Sequence, residues 1–482
     1  MLEDLISERK RKLDNLTAAG FYPYPEHVER THVMSEALVD FGKLATEKKI
    51  ISVCGRIIGM RDQGKIVFYD IVDTTGKIQA VMKSDGFSEH FELFKNNLDI
   101  GDFVEVGGTL FETQKQEKSV LVSSLRPIAK SLQAVPSHFY GLEDIETRLR
   151  KRYLDILVHP EVKELFIKKN IFWQMFREYL KKQGFLEVET PVLETTPGGA
   201  EAEPFKTHHN ALDHDFYLRI SLEIALKKLL IAGYEKVFEI GRIFRNEGID
   251  AEHLQDYTQL EFYLAYADYK ELMRMVEKMY KKVIQGVMGH LVTSHCGVTI
   301  DWSKKWSKID YFKIFKEKTG IDLKKVKEEQ LRTRVEEEGL RPDASCGKGR
   351  LIDLLFKKLV RPSFIQPSFL VNPPVEVEPL AKRLPRDRQK VFRFQIMAAG
   401  TELGKGFSEA NDPIDQRARF EEQMKLRAQG DREAQMLDED FLEALEYGMP
   451  PAAGFGVSER LFAVIMDKPV RETTLFPLMR KK

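Results

Sequence analysis

The chain has little cysteine and no net charge, and each shortage excludes a class of protein. Its cysteines, Cys54, Cys296 and Cys346, are too few and too dispersed for a disulfide framework or a thiolate metal site, which indicates a reducing, cytoplasmic setting. Lysine and arginine together number 75, as do aspartate and glutamate. Because these charges cancel, no overall field attracts nucleic acid or a membrane, and such a partner must be bound by local patches.

Uninterrupted apolar runs and processing signals are missing as well. No window approaches the apolar length that spans a bilayer, and residues 1–4 do not open a signal peptide. We find no internal repeat and no low-complexity tract. We therefore expect no membrane partner. At 482 residues, of which 43% are hydrophobic, the chain has enough apolar material for two or three domains.

The N-terminal part predicts a helix followed by a small closed sheet. Residues 2–18 have a partial apolar stripe, and the basic run at residues 9–12 is either a solvated helix face or a nucleic-acid contact. Five short strands are predicted between residues 50 and 128, separated by Gly, Asp and Thr turns. This spacing is typical of a five-stranded OB-fold barrel. We place this domain at residues 1–140.

The rest of the chain is predicted to be a linker and a larger α+β domain. The linker is placed at residues 141–155 and the domain at residues 156–482. Amphipathic helices are predicted near residues 160–183 and 221–232, followed by strands. A charged helical insertion near residues 305–360 lies between the strands, and nothing in its sequence suggests chemistry.

Two predicted strands of this domain, residues 237–244 and 258–264, are joined by a loop rich in Arg, Glu and His. In the second strand Gln259, Glu261 and Tyr263 share one face, because side chains alternate along a strand. Long loops within a sheet tend to be functional. The hairpin therefore looks like a platform for an anionic ligand with a polar, hydrogen-bonding tail.

Two further segments have the same character. In residues 400–409, Lys405, Phe407 and Glu409 share a strand face, and the neighbouring glycines permit close approach of a ligand or another backbone. Residues 448–460 are glycine-rich and lead into a short amphipathic helix. A single carboxylate in such a strand is more often solvated than bound to a ligand. The joint placement of these groups favours a ligand site.

Together these segments resemble the three signature motifs of the class II aminoacyl-tRNA synthetases. In this chain, GFLEVETP at residues 184–191 is similar to the first motif. FRNE at residues 244–247, with its loop to Glu261, is similar to the second motif, and GFGVSER at residues 454–460 is similar to the third. The resemblance covers nearly the whole chain, because the barrel matches the anticodon-binding domain of that family.

Two other segments, TPGGAEA at residues 196–202 and GFSEANDP at residues 406–413, are most similar to the lysyl subclass. The resemblance implies that lysine and ATP form lysyl-adenylate and that the lysyl group then passes to tRNA(Lys). An already ionised carboxylate attacks the α-phosphorus, so catalysis depends on orientation and on neutralising phosphate charge. The resemblance also implies a Mg²⁺ cofactor and a homodimer formed through the segment around Pro191.

The resemblance further assigns residues to ATP. Arg245 would bridge the lysine carboxylate and the α-phosphate, and Arg460 would cover the adenine and reach the γ-phosphate, so both would be catalytic. Glu402 would be the best Mg²⁺ ligand beside the phosphates. The remaining ATP contacts would be Glu247, His253 and Tyr257.

For the amino acid, Glu223 and the backbone of Gly199 would hold the α-ammonium group. Glu409 and Tyr263 would hold the ε-ammonium group, which favours lysine because a desolvated ammonium needs a charge partner. The other residues assigned to the lysine pocket are Arg245, Glu261, Lys405 and Phe407.

In the barrel, Arg56, Phe68 and Gln79 match positions that read the anticodon. Phe68 competes with Val67 and Tyr69 for the barrel interior, so base stacking and core packing are both open.

The chain departs from the family pattern at three places. Lys405 stands where lysyl enzymes usually carry an asparagine, and it could either pair with the substrate carboxylate or repel a cationic substrate. Gln395 stands where a second metal-binding glutamate is usual, which leaves the number of Mg²⁺ ions open. The third motif is a residue shorter than usual, with Val457 and Ser458 where another glycine is common.

Three other functions compete with lysine activation. An aspartyl or asparaginyl enzyme would need a basic side-chain pocket, for which Lys405 is the only hint. An inactive, tRNA-binding regulator predicts damaged motifs, yet Arg245, Glu247 and Arg460 are present. A paralogue that lysylates a protein is disfavoured by the barrel.

The candidates for a zinc site are His208, His209 and His214. A zinc site is disfavoured because adjacent histidines point to opposite strand faces.

Overall fold

The computed structural model describes residues 2–87, 89–136, 142–248, 254–343 and 346–480. The chain divides into two compact units, Met1–Leu142 and Glu143–Lys482. No helix in these described ranges is long and apolar enough to cross a membrane.

The first unit contains a closed barrel. Its elements are α1 (Leu2–Ala18), α2 (Met34–Val39), α3 (Phe41–Thr46), β1 (Ile50–Asp62), β2 (Ile66–Val72), β3 (Lys77–Lys83), α4 (Phe91–Asn97), β4 (Phe103–Glu112) and β5 (Lys118–Ala129). Around the barrel the strands follow the order β1-β2-β3-β5-β4. Val67 and Tyr69 are fully buried and Phe68 between them is half-buried, since alternate side chains point to opposite faces. The predicted five-stranded barrel is confirmed.

The basic run of α1 anchors this helix to its own unit. Arg9 is 6% exposed and donates a hydrogen bond of 2.7 Å to the carbonyl oxygen of Ser131. The ammonium group of Lys12 lies 2.7 Å from the carboxylate of Asp99. These two cations are therefore used inside the fold.

The second unit has an α+β architecture, as predicted. It begins with α5 (Ile145–Arg150), α6 (Arg152–Val158), α7 (Pro160–Lys182), β6 (Leu186–Glu187), β7 (Leu193–Glu194), β8 (Lys206–His209), β9 (His214–Leu218), α8 (Glu223–Ile231), β10 (Lys236–Phe244), β11 (Asp256–Ala265) and α9 (Tyr269–Met288). It continues with β12 (Val292–His295), β13 (Val298–Asp301), β14 (Ser307–Asp310), α10 (Tyr311–Thr319), α11 (Glu328–Glu337), α12 (Lys348–Leu355), β15 (Ser368–Val371), β16 (Arg383–Leu384), β17 (Asp387–Val391), β18 (Arg393–Ala398) and β19 (Thr401–Ser408). It ends with α13 (Pro413–Ala428), α14 (Glu439–Glu446), β20 (Ala452–Ser458) and α15 (Arg460–Ile465).

One large sheet organises this unit. Its strands follow the order β14-β15-β18-β19-β20-β11-β10-β6, antiparallel except for the pairs β14–β15 and β10–β6. Leu260, Phe262 and Leu264 of β11 share a core with Phe176 of α7. Tyr263 faces the other way, into the cluster formed with α8 and α14. The alternation predicted for β11 thus leaves one face of the sheet for polar groups.

The helical insertion lies between β14 and β15. Its helices α10, α11 and α12 enclose their own apolar cluster, which extends to Leu370 and Met397 of the large sheet. The insertion is therefore packed on the sheet over β15 and β18.

Candidate active site

A polar cavity of 560 Å³ opens on the face of the large sheet opposite α7 and α9. Its wall includes residues from the signature hairpin β10–β11, from β18 and β19, and from β20. The predicted site residues that line it are Gly199, Glu223, Arg245, Glu247, Tyr257, Glu261, Tyr263, Gln395, Glu402, Lys405, Phe407 and Arg460. His253 falls outside the described residues. Three segments that are far apart in sequence thus meet in one cavity.

Strand register explains how these residues meet. On β11, Glu261 stands opposite Gly456 of β20, and Gly456 stands opposite Lys405 of β19. In the neighbouring row, Gly454 lies between Tyr263 and Phe407. The glycine positions of β20 therefore form the floor between two strands that present functional side chains.

Gly454 leaves the space that this arrangement needs. A Cβ atom at this position would lie 2.2 Å from Cε1 of Tyr263 and 2.4 Å from Oε1 of Glu409. Glu409 follows β19 and is 1% exposed, and its backbone N–H donates to the carbonyl oxygen of Ala452. Glu409 thus lies directly behind the cavity floor, within reach only because residue 454 has no side chain.

Glu261 is fixed by hydrogen bonds from the protein. Its Oε1 accepts from the hydroxyl of Ser221 at 2.7 Å, the amide of Gln259 at 2.5 Å and the backbone N–H of Leu222 at 3.1 Å. Its Oε2 accepts from the hydroxyl of Tyr263 at 2.8 Å. The carboxylate therefore orients Tyr263 and has little capacity left for a further donor.

We call the part of the site around the buried carboxylates of Glu223 and Glu409 its closed end. A buried lysine that the sequence analysis did not identify lies there. The ammonium group of Lys227 is 2.5 Å from Glu223 and 2.5 Å from Glu409. Burial raises the pKa of Glu223 to about 7, against the lowering effect of Lys227. Burial also raises the pKa of Glu409 well above its ordinary value. The sequence does contain a signal for the pair of Lys227 with Glu223. The two residues are four apart on α8, and residues with this spacing share a helix face.

Another part of the cavity, where the side chains are half-buried, carries arginines beside an aromatic ring. The guanidinium carbon of Arg245 lies 5.7 Å from the ring centre of Tyr257, and its Nε donates to the carbonyl oxygen of Ile220. Arg460 begins α15 and donates a long hydrogen bond of 3.4 Å to the carbonyl oxygen of Glu402. These groups can bind an aromatic, polyanionic ligand.

Two further groups of polar side chains line the cavity, one around Glu402 and one around Glu378. The amide of Gln395 donates to the Glu402 carboxylate at 2.5 Å. The ammonium of Lys405 lies 3.0 Å from the carboxylate of Glu378, which is also 3.4 Å from the guanidinium of Arg393. Burial would raise the pKa of Glu378, but Lys405 and Arg393 hold it below its usual range. The sequence did not identify Glu378 and Arg393 as site residues.

The helical insertion contributes one wall of the cavity. Arg350, Asp353 and Lys357, on and just after α12, line it together with Tyr311 of α10. The sequence of the insertion suggested no chemistry, whereas its position puts charged side chains beside the site.

The barrel has a separate candidate surface on its outer face. Phe68 and Gln79 share this face, because Gln79 pairs with Asp70, two residues from Phe68. Gln79 is buried there, and its side-chain oxygen accepts a hydrogen bond from the hydroxyl of Ser119. Arg61 stands opposite Phe68, with its guanidinium carbon 5.9 Å from the ring centre.

Arg56 lies elsewhere on the barrel. It pairs with Val72, about 13 Å along β2 from Phe68. Its guanidinium donates to the carbonyl oxygen of Gly101 and covers the ring of Phe103 at 4.2 Å. The structure therefore brings Phe68 and Gln79 together with Arg61 rather than with Arg56.

The candidate histidines do not form a metal site. His208 pairs with Asp215 at 2.9 Å, and all three histidines lie on the exposed β8–β9 hairpin. Within the described part of the chain, the only group of three potential ligands close enough to share an ion is the surface group His295, Cys296 and Asp467.

Comparisons with known proteins agree with this geometry. The family described as tRNA synthetases class II (D, K and N) matches residues 144–480, and the family of OB-fold nucleic acid binding domains matches residues 51–128. The chain is 43% identical to lysine–tRNA ligases of Roseiflexus castenholzii and Carboxydothermus hydrogenoformans, over 100% of this chain and 99% of each relative. It is 44% identical to that of Moorella thermoacetica over 99% of this chain and 98% of the relative.

Proposed function

This chain belongs to the lysine–tRNA ligases within the class II tRNA synthetases, and we propose that its sheet cavity activates L-lysine with ATP and charges tRNA(Lys). The observation that supports lysine best is the pair of buried carboxylates, Glu223 and Glu409, at the closed end. Among the described residues, Oε1 of Glu409 has no hydrogen-bond partner although it is buried. A buried, unpaired carboxylate oxygen is costly unless a ligand satisfies it. The ε-ammonium group of lysine would do so.

Lysine would lie along the floor formed by β20. Its α-ammonium would be held by Glu223 and the backbone of Gly199, where an added Cβ atom would lie 2.8 Å from Cβ of Glu223. Its ε-ammonium would reach Glu409 and the hydroxyl of Tyr263, past Phe407. Lys405 and Arg245 would face the carboxylate end, where a negative charge has to be held. Glu261 would act by holding Tyr263 in place.

ATP would occupy the arginine-rich end of the cavity. Tyr257 and Arg460 would enclose the adenine, Glu247 would accept from its amino group, and Arg245 would contact the α-phosphate. His253 is assigned to the distal phosphates by its motif position. The lysine carboxylate oxygen then attacks the α-phosphorus, the bond to the bridging oxygen breaks, and pyrophosphate leaves.

Transfer completes the reaction. A hydroxyl of the terminal ribose of tRNA attacks the carbonyl carbon of the adenylate, and AMP leaves. The arginines supply the main catalytic effect, since they hold both reactants in line and neutralise developing charge without a general base.

The donor set suits a single Mg²⁺ ion best. Glu402 supplies a half-buried carboxylate, and Gln395, whose amide N–H donates to that carboxylate, would turn its amide oxygen to the ion. Both are hard oxygen ligands of the kind that Mg²⁺ prefers beside phosphates. When bound, Mg²⁺ would neutralise charge on the phosphates. Because Gln395 carries no charge, the pair is less suited to a second ion than two carboxylates would be.

The barrel would bind the anticodon of tRNA(Lys) through its outer face. Phe68 is half-buried there and could stack a base, with Gln79 as a hydrogen-bonding neighbour and Arg61 close to the ring. Arg56, assigned by motif position, would contribute from a different part of the barrel.

We further propose a cytoplasmic homodimer. The segment around Pro191 is exposed and contains apolar side chains, Leu186 (48% exposed), Val192 (38%) and Leu193 (44%), which suit a self-association surface. Sedimentation of the purified protein would give the mass of a dimer; a monomer at micromolar concentration would contradict this assignment.

Aminoacylation of bulk tRNA tests the function. We expect the protein to charge tRNA with lysine and not with aspartate or asparagine, and Arg460→Ala to abolish charging without unfolding the protein. Charging with aspartate alone, or full activity of Arg460→Ala, would overturn the proposal.

A further inference from the structure

Lys227 is the most completely enclosed cation beside the cavity. It is 1% exposed, and its ammonium group lies between the carboxylates of Glu223 and Glu409, 2.5 Å from each. The rings of Phe407 and Phe441 lie 5.4 Å and 5.9 Å from it. Burying a charge in this way is costly, so a role beyond packing has to be considered.

The charges at the closed end match lysine only when Lys227 is counted. Glu223, Glu261 and Glu409 contribute three negative charges if all are ionised. Lys227 reduces this to two, which equals the number of ammonium groups that lysine brings. Because Lys227 contacts the carboxylates assigned to the α- and ε-ammonium groups, it also fixes the distance between them.

We propose that Lys227 determines specificity for lysine by acting as a fixed counter-ion, which keeps Glu223 and Glu409 ionised and separated so that each can take one ammonium group of the substrate. This inference rests on the proposed lysine activation. Lys227 does not touch the reacting atoms, so it is a positioning residue.

The electrostatics of the site support this role. Burial raises the pKa of both Glu223 and Glu409, and Lys227 is the strongest influence that lowers them. Burial alone would lower the pKa of Lys227, but the two carboxylates raise it, so it stays charged. The other titratable groups facing these carboxylates are Glu261 and Tyr263 on β11, Lys405 on β19, and Glu378.

The pH dependence of lysine use distinguishes this role from mere packing. An ammonium group binds an ionised carboxylate, and removing Lys227 makes ionisation harder. In Lys227→Met the acid limb of kcat/KM for lysine, measured by ATP–pyrophosphate exchange between about pH 6 and 9, should therefore move up by about one pH unit or more. The loss at pH 7 should be at least about tenfold and should shrink as pH rises.

Two variants serve as controls. Lys227→Arg keeps the charge and should keep the acid limb where the wild type has it, even if its rate falls. Lys228→Met changes the next residue, whose ammonium pairs with Asp440 on the surface, and should leave the profile unchanged.

An equal loss at every pH, with an unmoved acid limb, would reduce Lys227 to a packing residue and overturn the inference. If Lys227→Met fails to fold in a thermal melt, Lys227→Gln takes its place, because glutamine keeps a hydrogen-bond donor without the charge. Its acid limb should move up in pH in the same way. A wild type that does not activate lysine would instead contradict the proposed function, whatever the variants do.

Discussion

Replacing Glu409 by glutamine separates binding of the lysine side chain from stability of the fold. The change keeps the shape of the side chain and removes its charge. Glu409 is 1% exposed, so a substrate ammonium that loses this partner has no solvent to replace it. Truncating one member of a buried charge pair costs about 2–5 kcal/mol, which corresponds to a fall in kcat/KM for lysine of roughly 30- to 5,000-fold.

The same substitution should not weaken the fold. The pKa of Glu409 is raised in the folded protein by burial, so the folded state holds its proton more tightly than the unfolded chain does. Its contribution to stability is therefore present at low pH and is lost as pH rises through the folded pKa. At pH 8 the neutral amide avoids this loss, while Lys227 loses one of its two charged partners and keeps Glu223 at 2.5 Å. Because these two effects oppose each other, Tm of Glu409→Gln should stay close to that of the wild type.

Lysine-dependent ATP–pyrophosphate exchange and a thermal melt at pH 8 measure the two effects. Glu443→Gln, an exposed glutamate of α14, is the matched control and should change neither. A fall in kcat/KM of less than about threefold would show that Glu409 does not hold the substrate, since even a weak buried pair exceeds that loss.

Three further predictions concern the cavity floor, the barrel and the metal ligands. Gly454→Ala should lower kcat/KM for lysine by about 100-fold in pyrophosphate exchange, because the new Cβ meets Tyr263 and Glu409. An unchanged value would contradict the position of the floor. Phe68→Ala should raise KM for tRNA by roughly 5- to 150-fold in aminoacylation and leave pyrophosphate exchange intact, since stacking is worth about 1–3 kcal/mol per base; equal effects on both assays would refute a role confined to tRNA. Gln395→Glu should lower the Mg²⁺ concentration for half-maximal activity and raise the number of Mn²⁺ ions counted by electron paramagnetic resonance with a non-hydrolysable ATP analogue. An unchanged ion count would exclude position 395 as a ligand.

The sequence predicted the elements whose signal is local. The alternation around Glu261 and Tyr263, the barrel strands and the three motif segments all depend on short-range patterns. Their convergence followed from family resemblance, and register then explains it through Gly454 and Gly456.

Features that depend on long-range packing could not be predicted in this way. Lys227 shows a simple helical spacing to Glu223, but its second partner, Glu409, comes from a distant strand end. In the barrel, a register shift between Ile57 and Gly59 places Arg56 opposite Val72, on the face that holds Phe68 but about 13 Å along β2 from it. A β-bulge of this kind redirects side chains without a clear signal in composition.

ATP–pyrophosphate exchange by the wild-type protein, with lysine, aspartate and asparagine supplied separately, tests most directly whether this cavity activates lysine. The two buried carboxylates and the counter-ion Lys227 predict exchange that depends on lysine and is absent with the other two amino acids. Exchange with aspartate and none with lysine would contradict the assignment of the closed end of the cavity.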